Sequence, residues 1–176
     1  MEGTVQIRSA VVEDAAQIAE VHVRSWQGAY RGLIPQDYLD ELDPARWARW
    51  RARVLSQVDW ARGGCLVAAD ARRLIGFADF GPTTDTDQDP AFVGEVGAIY
   101  LSPDAWGTGC GRELMTASLA RLSRAGYQQV TLWVLDTNAR ARRFYELAGF
   151  EPDGAQKVDD RGAFQLSEVR YRRPLP

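Results

Sequence analysis

The stretch WGTGCGRE, Trp106 to Glu113, places glycines at 107, 109 and 111 ahead of charged residues that open a helical pattern. Glycine lets a backbone come close to a ligand. A helix N-terminus offers N–H groups without intrahelical partners, and its partial positive charge is worth about 0.3–1 kcal/mol per favourable anion. The segment can therefore hold an anion, with Arg112 as an added charged contact. A tight strand-to-helix turn without a ligand accounts for the same residues equally well. Two phosphate motifs fit poorly. A dinucleotide fingerprint needs G-x-G-x-x-G, and a Walker loop needs Gly-Lys followed by Ser or Thr. Here the last glycine interval is too short, and Gly111 is followed by Arg112 and Glu113.

A second constellation follows in NARARRFYELAGF. Asn138 stands just after an apolar run, and Tyr145 lies about two helical turns further on. Taken singly, Asn138 reads as a helix N-cap and Tyr145 as a core residue of an amphipathic helix. The single histidine, His22, falls on an apolar helical face and reads as a core or cleft-lining residue. With one histidine and two cysteines, Cys65 and Cys110, in unrelated contexts, a metal site or a Ser-His-Asp triad has little to work with. No metal is expected.

The elements that must position these residues follow from periodicity. TVQIRSA alternates as a strand, and from Val12 to about Tyr30 the residues Ala15, Ile18, Ala19, His22 and Trp26 share a helical face. PQDYLDEL is a short helix, and Asp43 caps the helix PARWARWRARVLSQ. CLVAAD and RLIGFADFG form a hairpin, PTTDTDQDPA a polar loop, and FVGEVGAIYLSP a strand stopped by Pro103. A helix runs from Gly111 to about Ala125, with Gly126 at its end. QVTLWVLD is a buried strand, NARARRFYELAGF a helix closed by Gly149, and FQLSEVRYRRPL a last strand. The order β-α-α-α-β-β-β-α-β-α-β predicts a single mixed α/β (α+β) domain over residues 1–176.

Composition narrows the partners. The 176 residues carry a net charge of −3, with 45% hydrophobic and 26% charged residues, as in an ordinary globular protein. That balance gives no support for a nucleic-acid binder. No run approaches the roughly 20 apolar residues of a membrane helix. The N-terminus lacks a signal-peptide core. A soluble, cytoplasmic protein is expected.

Together the two segments resemble the GNAT superfamily of acetyl-CoA-dependent N-acetyltransferases. The family's Arg/Gln-x-x-Gly-x-Gly/Ala pattern falls on Trp106, Gly107, Thr108, Gly109, Cys110 and Gly111, with Trp106 departing at the first position. Its Asn-x-x-Ala-x-x-Phe-Tyr-x-x-x-Gly-Phe pattern falls on Asn138, Ala141, Phe144, Tyr145, Gly149 and Phe150. The resemblance implies a central, mostly antiparallel mixed sheet with splayed middle strands flanked by helices. It implies that acetyl-CoA lies in the splay, its pyrophosphate on the N–H groups of Gly107, Thr108, Gly109, Cys110, Gly111 and Arg112. The pantetheine arm would pair with Ile99, Tyr100 and Leu101, and Asn138 would fix it or a nearby water. The resemblance further implies Glu95 as the base, in the apolar setting FVGEVGAIY, and Tyr145 as the proton donor to the leaving thiolate. The expected acceptor is a primary amine of a small molecule or amino-acid-like compound. A protein N-terminus or lysine is the alternative acceptor, and a CoA-binding regulatory module without turnover is the alternative class. Trp26, Tyr30 and the RGLIP loop are expected to wall the acceptor pocket. The TTDTDQDP acids either attract a cationic amine or are simply solvated. Dimerisation is common in the family, so a homodimer is a natural assembly.

Overall fold

The described residues form seven strands: β1 (Gln6–Ser9), β2 (Gly64–Ala69), β3 (Leu74–Pro82), β4 (Val93–Leu101), β5 (Gln129–Leu135), β6 (Glu151–Asp160) and β7 (Gln165–Pro174). Five helices accompany them: α1 (Ala15–Ala29), α2 (Gln36–Asp40), α3 (Pro44–Leu55), α4 (Cys110–Arg124) and α5 (Ala139–Leu147). The structure is a computed structural model that describes residues 5–176. Thr4, expected to open the first strand, lies outside the described residues.

The expected caps are in place. The Asp43 carboxylate accepts from the Ala45 N–H at 2.9 Å, and the Asn138 side chain accepts from the Ala141 N–H at 3.1 Å. Gly126 and Gly149 take φ values of 90° and 84°, a left-handed region that closes α4 and α5 without a Cβ penalty.

The strands form one sheet in the order β1-β2-β3-β4-β5-β7-β6. Every neighbouring pair is antiparallel except β4 and β5, which run parallel. That parallel contact is short, Val93–Glu95 against Gln129–Thr131. Beyond it β4 continues along β3 and β5 along β7, so the middle of the sheet opens into a V. The cause is local. Val96 pairs with Phe80 and Ala98 with Asp79, which leaves Gly97 as an extra residue on β4. Such a bulge bends and twists its strand, and here it does so just past the last parallel pair.

The structure has one strand more than the sequence pattern suggests. β6 pairs with β7, but Pro152, Gly154 and its exposed acids give it no apolar alternation. It is an edge strand, where a proline is tolerated and neither face is deeply buried.

Two large cores flank the sheet, and a smaller third cluster gathers Trp26, Ile34, Leu39, Leu135 and Leu166. Ile18 and Val21 of α1 and Leu55 of α3 pack with Val67, Leu74 and Phe77. On the other face Leu114, Met115 and Leu122 of α4 meet Leu66, Ile75, Val130 and Leu132. Each such fully buried side chain contributes about 1.5–3 kcal/mol. α5 buries no residue completely and lays Ala141, Phe144 and Tyr145 against the margin of this second core.

Candidate active site

The glycine turn begins where β4 leaves the sheet. A 3-10 turn at Pro103–Ala105 redirects the chain, and Gly107 and Gly109 follow with φ values of 76° and 92°. These left-handed residues let α4 start abruptly at Cys110. The Thr108 hydroxyl donates to the Ala105 carbonyl at 2.8 Å and fixes the loop. Among the described residues, no backbone acceptor pairs with the N–H groups of Gly107, Thr108, Gly109, Gly111 or Arg112. They form a row of donors at the N-terminus of α4. Cys110 is buried, and burial pushes its thiol up to about 11, so it serves as a small packing residue rather than a nucleophile.

Trp106 heads this turn. Its indole N–H donates to the Leu101 carbonyl at 3.1 Å. Its ring packs against α1 at Gly28, where a Cβ would approach the indole to 2.9 Å.

Past the open end of β5, Asn138 caps α5, so the position reads first as a cap, with the side chain buried beside the V. Tyr145 lies among the rings of Phe144 and Phe150, at centroid distances of 5.4 and 6.2 Å. Burial, reinforced by Tyr100, pushes its hydroxyl pKa well up, so it keeps its proton and suits a donor rather than a base. Tyr30 is raised likewise by burial and by nearby Tyr100, Tyr145 and Glu168. These groups therefore converge at the V from α1, β4, α5 and β7. The buried Trp26 indole N–H beside them has no hydrogen-bond partner among the described residues.

His22 is a core residue, as its apolar face suggested. It stacks on Tyr100 at 5.0 Å and touches Trp26 and Trp47. Burial, with the Arg51 charge, pushes its pKa down to about 4.

Glu95 sits at the closed end of the V, opposite Thr131 of β5. Its carboxylate does not meet the apolar setting expected for it. It accepts from the Thr84 N–H at 3.0 Å and from the Thr84 hydroxyl at 3.2 Å. With Trp50, Arg51 and Asp79 it lines a cavity of about 430 Å³. Arg51 and Asp79 form a 2.7 Å ion pair there, and neither was singled out from the sequence. A second cavity, of about 750 Å³, lies between Tyr38, Glu41, Arg46, Trp47, Trp50 and Arg161.

The TTDTDQDP acids are not merely solvated. Arg170 of β7, nearly buried, holds Asp85 at 3.0 Å, Asp87 at 2.7 Å and Asp153 at 2.8 Å. Asp85 also accepts from the Trp133 indole N–H at 3.0 Å. Nothing in VRYRR marks which arginine turns inward, because Arg170, Arg172 and Arg173 are chemically alike.

Comparison with known proteins completes the picture. A family model described as "Acetyltransferase (GNAT) family" matches residues 21–150. The uncharacterised N-acetyltransferase YuaI of Bacillus subtilis is 35% identical over 136 residues, which cover 76% of this chain and 73% of that protein. A mycothiol acetyltransferase of Geodermatophilus obscurus is 40% identical over 87 residues, 49% of this chain but 28% of that protein. Among solved structures, the PaiA N-acetyltransferase of Thermoplasma acidophilum in complex with coenzyme A superposes with a TM-score of 0.73. It shares 20% identity, covering 97% of this chain and 99% of that one, a likeness of fold.

Proposed function

The chain belongs to the acetyltransferase (GNAT) family, and from that premise we propose that it moves the acetyl group of acetyl-CoA to a primary amine of a small, amino-acid-like acceptor. The observation that carries this reading is the V between β4 and β5, with the free N–H row of the glycine turn at one arm and protonated Tyr145 at the other.

The residues fit the cofactor. The unpaired N–H groups of Gly107, Thr108, Gly109, Gly111 and Arg112 suit a pyrophosphate, and β4 beyond Glu95 has no strand on its β5 side. A pantetheine arm can add there like a strand along Ile99, Tyr100 and Leu101. Because Trp106 already occupies the Leu101 carbonyl, that pairing falls to the other polar groups of the segment. Asn138 flanks the same opening.

The chemistry assigns the rest. An amine with a pKa of about 10.4 must shed a proton before it can attack. Glu95 takes that proton, directly or through water. The nitrogen lone pair attacks the thioester carbonyl carbon, and a backbone N–H near Leu101 steadies the oxygen that gains charge. The C–S bond then breaks, its electron pair stays on sulfur, Tyr145 supplies the proton that makes the free thiol, and the second proton that nitrogen sheds as the amide forms restores Tyr145 through water. On the acceptor side, Arg51 already pairs with Asp79 and lies over the Trp50 ring, so Glu95 is a carboxylate of this cavity left to draw a cationic amine. The likeness to a mycothiol acetyltransferase is in keeping with a small acceptor.

The test is a thiol-release screen over amines, amino acids and peptides. Turnover confined to small amines supports the reading, and turnover only with peptides replaces the acceptor class. Tight CoA binding with no release by any acceptor points to a regulatory module. An unchanged pH–rate profile in Glu95→Gln removes Glu95 from the mechanism.

A further inference from the structure

Arg140 stands in the first turn of α5, two residues after the Asn138 cap. A cation there faces the positive end of the helix dipole, which disfavours it. No acid occupies that turn. Among the described residues no carboxylate reaches Arg140. Its guanidinium instead lies over the Trp106 ring, 3.5 Å from the centroid. Stacking uses the face of the guanidinium and leaves its in-plane N–H donors unspent.

Trp106 is fixed independently of Arg140. The Leu101 carbonyl holds its N–H, and Pro103 and Trp106 both press on the space above Gly28. The next residue is Gly107, the first of the unpaired donors. The side chain of Asp104, close by in sequence, is shared by Arg24 and Arg73. An unpaired cation is thus seated at the head of a row of free N–H groups, where the starts of α4 and α5 come together. This is a local concentration of positive potential in a chain whose net charge is −3.

We infer that Arg140, seated on Trp106, binds the pyrophosphate of the cofactor and supplies the side-chain charge that an indole at position 106 cannot. This rests on the reading of the glycine turn as the CoA site. The cofactor's other phosphate, the 3′-monoester, has the same charge chemistry, and the experiment separates the two.

Dissociation constants are measured by calorimetry on the whole protein with CoA, 3′-dephospho-CoA and pantetheine. Loss of one charge-assisted contact weakens binding by about tenfold. Arg140→Gln should therefore weaken CoA and 3′-dephospho-CoA alike by about that factor and reduce the salt dependence of both. Pantetheine binding should not change, and Arg140→Lys should fall between. In a Trp106→Leu background, Arg140→Gln should cost less than it does alone, because the platform is gone. Melting temperatures confirm that each variant is folded. A loss seen with CoA and not with 3′-dephospho-CoA overturns the assignment, as does an equal loss with pantetheine or no loss at all. If the wild type itself fails to bind CoA, the reading of the site falls first. If it binds and Arg140→Gln matches it, only this inference falls.

Discussion

His22 is buried and Tyr145 half-buried, and removal from water gives them opposite uses. A phenol out of water keeps its proton, so Tyr145 presents an O–H to a departing thiolate, although the same burial makes it a weaker acid. General acid catalysis is worth about 10²-fold or more. Tyr145→Phe should therefore lower kcat by about that factor while the CoA dissociation constant moves by less than about threefold. Stopped-flow rates and calorimetry separate the two, and equal losses would make Tyr145 a binding residue. His22 has the reverse problem, because its charged form is the one that burial excludes. Its pKa falls from 6.5 to about 4 on folding. Between those values the unfolded chain binds the proton and the folded chain does not, so stability is full above pH 6.5 and falls as pH drops toward 4. The drop from pH 7 to pH 5 is about 2 kcal/mol in urea unfolding, and His22→Phe should remove that part of the slope. The sequence placed His22 on an apolar face, yet the rings of Trp47 and Tyr100 that enclose it come from α3 and β4.

The turn between β4 and α4 shows that three glycines in one motif need not do one job. Gly107 and Gly109 are left-handed with open space where a Cβ would go, so their constraint is purely conformational. A non-glycine residue there costs about 1–2 kcal/mol. Gly111 has no positive φ, and a Cβ on it would rest 3.4 Å from Leu101 and Phe144, an ordinary contact. Gly109→Ala should therefore weaken CoA binding and lower the melting temperature more than Gly111→Ala does. Titration calorimetry and thermal melts test the order, and equal effects would mean that close approach of the ligand governs both sites. The spacing of the glycines was plain in the sequence, but which of them bend the chain was not, since φ depends on where β4 ends and α4 begins.

Across the molecule, the two halves of the sheet are joined by three parallel residue pairs and then diverge. Arg170 reinforces the seam, because it reaches from β7 to Asp85 and Asp87 in the loop between β3 and β4, and to Asp153 of β6. Removing one member of a buried ion cluster strands the others, at about 3–5 kcal/mol. Arg170→Ala should lower unfolding stability by about that amount, and Asp87→Asn, at the exposed rim, much less. Urea denaturation measures both, and a near-neutral Arg170→Ala would show that the strands hold the seam without it. Periodicity, caps and glycine punctuation determined nearly every element, because they are local and rest on neighbours a few residues apart. Two short motifs were enough to point to the family, because an anion turn and the start of a helix are read from consecutive residues. The tertiary structure alone decided that β6 exists as an edge strand, that Arg170 turns inward, that Glu95 sits under Thr84 and that Arg140 lies on Trp106. Each depends on a partner in another element, Thr84 for Glu95 and Trp106 for Arg140, and the pattern within one element carries no record of which charge, ring or strand will close the contact.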